Sequence, residues 1–386
     1  MAPAPLLRPT LLPGLVRLWR DRHTLQLGLH PERAILLEVA DPLVARLLDL
    51  LDGGHSERGV LDEATRLGLR REDARTLLEQ LRAAGLLVGA AALLPPGLPD
   101  PERRRLLAEA VAIALNGASA AGTPAQALRR RTTARVAITG RGRLAAPIAI
   151  ALGQSGVGKV TIDLRGRVEP ADLVGGGLAA ADIGRDRTTA VIEALGRVAP
   201  GVRAEPARRD RAELVVQVGT DRPAALVAAG YAQRRQPHLL VDVRDGVAVV
   251  GPFVTALGRP CLNCLDLHRQ DRDPGWPGLA AQLAARPRLQ PCTTPTLLAA
   301  TGYATDEILR HLDGGVPETA GGAAELTGPG RVRHRAWPPH PACACSRGGR
   351  ARSAGRPGPP DRSGLSGSVG SEPGRMAVTE PESRSQ

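Results

Sequence analysis

Four of the five cysteines in this 386-residue chain fall into two close pairs, Cys261-Leu262-Asn263-Cys264 and Cys343-Ala344-Cys345. A C-x-x-C on a turn aims two thiolates at one centre, and a second close pair completes a four-sulfur zinc set. With four protein ligands such a metal is structural, because catalytic zinc keeps an open position. Pairs so far apart fit a clip that fastens the C-terminal segment to the domain; buried free thiols or a redox pair are the other readings. Cys292 stands alone. As a nucleophile it would need a lowered pKa and a base, and no base is assignable, so it reads as inert. A second constellation is Gly140-Arg141-Gly142 with Asp163. Glycines let backbone approach a phosphate, a following helix offers free N–H groups, and an acid about 20 positions further on can accept from a ribose.

These groups need a scaffold. Residues 135–139 form a β-branched run of strand length, 144–152 have helical composition, 153–158 turn, and 160–162 form a second strand ending on Asp163. That β–Gly-loop–α–β outline is a nucleotide-binding Rossmann unit with Ala145 in place of the third glycine. Strands at 202–205, 214–218, 238–243 and 246–254 follow, with helices at 188–197 and 296–312. The alternation predicts an α/β fold, a mostly parallel sheet with helices on both faces and ligands beyond the strand C-termini. Gly140, Asp163 and Thr220-Asp221 all fall on that edge.

Upstream, residues 25–29 and 34–39 read as a β-hairpin. Asp41-Pro42 would cap and start a helix with Leu43, Leu47, Leu48 and Leu51 inward. Helices at 60–67 and 71–84 follow, the latter with Ala74, Leu77, Leu78 and Leu81 on one face, and 86–88 would close the sheet. The result is a small winged-helix-like α+β domain over 1–90, able to take a peptide as an added strand, to face a DNA groove with Arg71, Arg75 and Arg82, or to serve as a structural cap on the larger domain. Residues 91–133 form a linker with one helix at 102–116 and a loop at 117–133, where Arg129-Arg130-Arg131 reads as a solvated face. The nucleotide-binding domain takes 134–345. The Gly/Ser/Pro/Arg-rich tail, 346–386, lacks periodicity and is expected to be disordered.

The formal charge of +12 would ordinarily suggest nucleic acid, but Lys159 is the only lysine, the arginines are scattered, and aromatics for base stacking make up 2%. Nucleic acid is therefore not expected as a partner. No apolar run reaches the ~18 residues of a membrane span, and no signal-peptide pattern opens the chain. A cytoplasmic protein without membrane contact is expected.

Taken in order, these motifs resemble the ThiF/MoeB family, bacterial relatives of ubiquitin-activating enzymes. The resemblance covers roughly 130–345 and rests on Gly140-Arg141-Gly142-Arg143-Leu144-Ala145-Ala146-Pro147, on Ser155-Gly156-Val157-Gly158 through Asp163, on Asp182-Ile183-Gly184-Arg185-Asp186-Arg187, on Thr220-Asp221 and on the paired cysteines. It implies ATP and Mg2+ as cofactors, structural Zn2+ on Cys261, Cys264, Cys343 and Cys345, and adenylation of a peptide or small-protein carboxylate. By position, Gly140, Gly142 and Arg143 would line the nucleotide, Asp163 would hold the ribose, Arg187 the phosphates, and Asp221 magnesium, with Asp221 and Arg187 catalytic. The sequence departs from the family at Arg143 and Ala145 (glycines), Asp172 (asparagine) and Gly175 (arginine), Asp172 adding negative charge near a triphosphate. The N-terminal segment resembles the RiPP recognition elements fused to enzymes that mature ribosomal peptides. The expected partners are a precursor peptide or small carrier protein, a partner modifying enzyme and a second copy in a homodimer. Two alternatives remain: a catalytically degenerate ThiF-like scaffold that presents a peptide, and an NAD(P)-dependent oxidoreductase with Asp163 at the ribose.

Overall fold

A computed structural model describes residues 6–39, 44–117, 122–207, 212–219, 224–256, 258–285 and 289–346. The cap at Asp41-Pro42, Leu43, Thr220-Asp221 and the tail from 347 onward lie outside the described residues.

The N-terminal elements are β1 (Pro9–Leu11), β2 (Arg17–Trp19), β3 (Thr24–Leu27), β4 (Ile35–Glu38), α1 (Val44–Asp49), α2 (Glu57–Arg66), α3 (Arg71–Ala83) and β5 (Leu87–Gly89). β3 and β4 form the expected hairpin, and β2 adds to it antiparallel. β5 does not close that sheet. It pairs instead with β1, Leu11 opposite Leu87, because Gly85 at φ +72° turns the chain out of α3 toward the N-terminal strand. The apolar face expected for α3 is buried throughout, at Ala74, Leu77, Leu78 and Leu81, and packs with Leu25, Leu27, Leu47 and Leu48 in one core.

Two short helices and one long one lead onward: α4 (Ala90–Leu93), α5 (Asp100–Leu115) and α6 (Pro124–Thr133). α6 corrects the expected loop. Thr123 and Gln126 form a reciprocal capping box and Pro124 occupies the first turn, a complete helix-start signal. The arginine run is corrected with it. Arg131 is 4% exposed; its Nε and Nη2 donate to Asp313 Oδ1 and Oδ2 at 2.9 and 2.6 Å, and its Nη1 to Glu109 Oε1 at 2.6 Å. Arg130 donates to the Asp313 carbonyl at 2.9 Å. A helical phase that points Arg131 inward thus ties α5 and α6 to the far C-terminal helix.

The large sheet contains β6 (Arg135–Gly140), β7 (Lys159–Leu164), β8 (Arg203–Pro206), β9 (Leu214–Val218), β10 (His238–Arg244), β11 (Val247–Val254), β12 (Gly322–Gly328) and β13 (Arg331–Ala336), in the order β13-β12-β11-β10-β9-β6-β7-β8. The five strands from β10 to β8 are parallel, and β11, β12 and β13 extend the sheet antiparallel. The reversal after β10 is a two-residue turn, Asp245-Gly246, with both residues at positive φ, 49° and 87°, as a type I′ hairpin requires. The helices are α7 (Ala145–Gln154), α8 (Arg187–Val198), α9 (Ala224–Arg234), α10 (Leu262–Arg272), α11 (Trp276–Ala285) and α12 (Thr294–Leu312). Alternation along β10 shows both faces covered: Leu239, Val241 and Val243 join the core with residues of α7, α8 and α12, while Leu240 packs with Ala228 of α9 and Leu262 of α10. The α/β class, with helices on both faces, is as expected; β12, β13, α9, α10 and α11 are additions. Among the described residues no helix is long and apolar enough to cross a membrane.

Removing one partner of a buried ion pair strands the other, at a cost of about 3–5 kcal/mol. Arg131→Ala should lose stability of that order in urea unfolding, and a loss below about 1 kcal/mol would show the Asp313 tie to be incidental.

Candidate functional site

Strand order places the site. From β6 the chain crosses to β7 and β8 on one side and returns to β9 on the other, so the C-terminal ends of β6 and β9 flank a switch point where α/β sheets bind ligands. Gly140 ends β6 at φ +109°, and a Cβ there would lie 2.2 Å from the Val218 carbonyl oxygen. Only glycine fits. Arg141 N donates to the same carbonyl at 2.9 Å, and α7 begins without a side-chain cap, its Ala145 N donating to the Gly142 carbonyl at 3.3 Å.

Arg143 is not a free cation over this loop. Its Nε donates to the Ala171 carbonyl at 2.9 Å, and its Nη1 to the Gln290 and Cys292 carbonyls at 3.1 and 3.0 Å. The Gln290 side chain completes the seal: Oε1 accepts from Arg143 N at 3.1 Å and Nε2 donates to Asp242 Oδ1 at 3.2 Å. Gln290 and the buried Asp242 carried no sequence signal, because each acquires its place only through partners far along the chain.

Asp163 sits exposed near the end of β7, in register with Thr139, whose hydroxyl donates to it at 3.4 Å. Arg187 opens α8 and is 4% exposed. Its Nη2 donates to Asp172 Oδ2 at 2.6 Å and to the Arg167 carbonyl at 3.0 Å, while its buried Nε has no hydrogen-bond partner. Asp172 therefore does not confront a ligand as bare negative charge, contrary to expectation; a 5%-exposed carboxylate needs a countercharge, and Arg187 is it. Asp182 is likewise structural, accepting from Ala179 N and Arg185, with Asp186 capping α8 through Thr189 N. Asp221 lies outside the described residues. Just before it, Tyr231 OH donates to Gln217 Oε1 at 2.8 Å and Gln217 Nε2 to the Gly219 carbonyl at 3.0 Å, steadying the end of β9.

The cysteines converge. Cys261 Sγ lies 3.9 Å from Cys264 Sγ and 3.6 Å from Cys343 Sγ, and Cys264 Sγ lies 3.3 Å from Cys345 Sγ. All four are free thiols within 4.8 Å of one another. Tetrahedral zinc with ~2.3 Å bonds spaces its sulfurs by roughly 3.8 Å, so the cluster has the size of a zinc site. It joins the start of α10 to the segment after β13. Cys292 is elsewhere, 3.7 Å from the Gly246 carbonyl, and burial pushes its thiol up, against a nucleophilic role.

No protein-family model matches the chain, and no curated protein matches it in sequence. Solved structures do. E. coli MccB with MccA is similar at a TM-score of 0.61 and 15% identity, over 88% of this chain and 99% of that one. The chain has the MccB fold. MccB with ATP gives 0.60 at 14% identity, over 87% and 99%, and PaaA 0.59 at 16%, over 84% and 98%. The α/β architecture expected from the motifs, a mostly parallel sheet with helices on both faces, is thus the observed one.

Next to this site, Tyr231 stacks on His238 with ring centroids 4.3 Å apart. His238 is 3% exposed, its Nε2 lacks a partner, and burial pulls its pKa down from 6.5 to about 4. Between those values the unfolded chain takes up a proton that the folded one refuses. Stability is therefore full above pH 6.5 and falls as pH drops toward 4, by about 3 kcal/mol at 1.36 kcal/mol per pKa unit. His238→Phe keeps the stack without titrating and should flatten that part of the pH–stability curve; an unchanged curve would exclude His238 as its source.

Proposed function

We propose that the chain is an ATP-dependent adenylyltransferase that activates the carboxylate of a peptide or small protein as an acyl-adenylate, in the maturation of a ribosomally made peptide. The observation that carries this reading is a buried arginine with an unpartnered donor, Arg187, near a turn at the switch point that only glycine can make, Gly140 to Gly142. A bound phosphate would supply the acceptor that Arg187 Nε lacks. The similar structures support it in their own right, since MccB, a microcin C7 biosynthetic enzyme, was determined with ATP and with N-formylated MccA.

In this reading the backbone of the Gly140–Gly142 loop and the start of α7 bind the phosphates, Asp163 accepts from the ribose, and Arg187, oriented by Asp172, stabilises charge that builds on the leaving group. Magnesium, which Asp221 would hold, neutralises the phosphate oxygens when bound. A carboxylate oxygen attacks the α-phosphorus, the bond to the β-phosphate breaks, and pyrophosphate leaves with the electron pair. Arg143 is reassigned from ligand to clamp, fixing the 290–292 segment over the loop. β2, which among the described residues pairs with β3 alone and exposes Leu18 and Trp19, offers an edge on which a peptide can add as a strand. A homodimer and a partner modifying enzyme belong to the same reading, as does zinc on the four cysteines, clipping the C-terminal segment to α10.

One observation favours the peptide-presenting scaffold instead: the Gln290 amide already satisfies Arg143 N at the glycine loop. ATP–pyrophosphate exchange with candidate peptides separates the two. Exchange is expected, with Asp221→Ala lowering it at least ~100-fold while leaving thermal unfolding unchanged. Peptide binding without exchange would leave the scaffold. Metal analysis should find about one zinc per chain, lost together with thermal stability in Cys261→Ser/Cys264→Ser; a metal-free wild-type protein of full stability would remove the clip.

A further inference from the structure

Between the antiparallel strands and helices α10 and α11 lies a cavity of about 250 Å³. Its lining carries four arginines, Arg244, Arg269, Arg272 and Arg335, against three carboxylates, Asp242, Asp266 and Glu325. The carboxylates are committed. Asp242 accepts from Arg244 Nε at 3.0 Å, from Val243 N at 2.9 Å and from Gln290. Asp266 accepts from Trp276 Nε1 at 2.6 Å and stands 3.8 Å from Arg269. Glu325 is 2.9 Å from Arg335 Nε, yet out of line, so that this buried N–H makes no hydrogen bond. Arg269 lies over the Trp276 ring, 5.0 Å from its centroid, and burial together with repulsion from Arg244 lowers its pKa to about 10. Four arginines against three committed carboxylates leave the cavity one positive charge in excess, and Arg335 Nε without a hydrogen-bond acceptor.

We propose that this cavity reads an acidic side chain, Asp or Glu, of the acceptor peptide, its carboxylate bridging Arg269 and Arg335 and its methylenes lying between Trp276 and Trp337. The assignment rests on the peptide-activating reading above and narrows its substrate class. Position supports it. Asp242, in the cavity wall, is bonded to Gln290, which touches the glycine loop, so the cavity abuts the crevice where the activated carboxylate would sit. A carboxylate is planar and bidentate, as a guanidinium pair demands, and the aromatic walls suit a side chain with an apolar stem.

The test uses tryptophan fluorescence of the full chain carrying Trp19→Phe, which leaves Trp276 and Trp337 as the only tryptophans. Heptapeptides of Gly, Ser and Ala with free C-termini carry one Glu at each of the last four positions in turn, and are compared with their Gln counterparts. At one position Glu should bind about tenfold or more tighter than Gln, the worth of a charged hydrogen bond. Arg269→Gln and Arg335→Gln should each erase that preference, and Arg269→Lys should retain part of it. Arg335 is on the edge strand β13, so its variant tests the claim even if Arg269→Gln does not fold. Equal binding of Glu and Gln peptides at every position, a preference that survives Arg335→Gln, or tighter binding of inorganic phosphate than of any Glu peptide would overturn it. Glu-selective binding without pyrophosphate exchange removes adenylation and leaves the pocket; exchange indifferent to Glu removes the pocket and leaves adenylation.

Discussion

The closeness of two strand ends decides where everything else can be. At Gly140 the ends of β6 and β9 approach until a single methyl group would collide with the Val218 carbonyl, and Arg141 N fixes that contact with a hydrogen bond. From this one approach follow the sharp exit from β6 and the direction of α7. In the proposed reading this turn presents backbone rather than side chains to the phosphates.

Buried charge then organises the elements around the crevice. Arg187 with Asp172 anchors the start of α8 against the segment after β7, and Arg131 with Asp313 anchors α6 against the end of α12. Neither pair is evidence of stability by itself, since an apolar pair of the same volume can do as well. Their effect is positional: each carboxylate accepts only one arrangement of its arginine, and helix ends that carry the site are pinned by that geometry. Arg143 works similarly with uncharged partners, drawing three carbonyls from two segments onto one guanidinium.

Much of this was legible in the residues. The inward face of α3, the wholly apolar β9, the glycine turn, and the convergence of the cysteine pairs all follow from local pattern or from donor chemistry. What escaped is of two kinds. α6 was announced locally by Thr123-Pro124 and Gln126 and was masked by the arginine run that follows, whose third member turns inward only because a helix forms. The role of Asp172, the seal made by Gln290, and the hairpin of β12 and β13 depend on partners that only the completed sheet brings near. Side-chain type cannot announce those, since the same aspartate would be solvated on a surface and is paired here because it is buried.

The central claim is that a carboxylate attacks the α-phosphate of a nucleotide seated in the Gly140 crevice. Isotope transfer tests it most directly: a peptide active in exchange is labelled with oxygen-18 in its terminal carboxylate, incubated with ATP, magnesium and a hydroxylamine acceptor, and the phosphorus products are analysed by mass spectrometry. The account predicts label in AMP and none in inorganic phosphate. Label in inorganic phosphate would mean attack at the γ-phosphate, and unlabelled products with ATP intact would mean no activation; either result contradicts it.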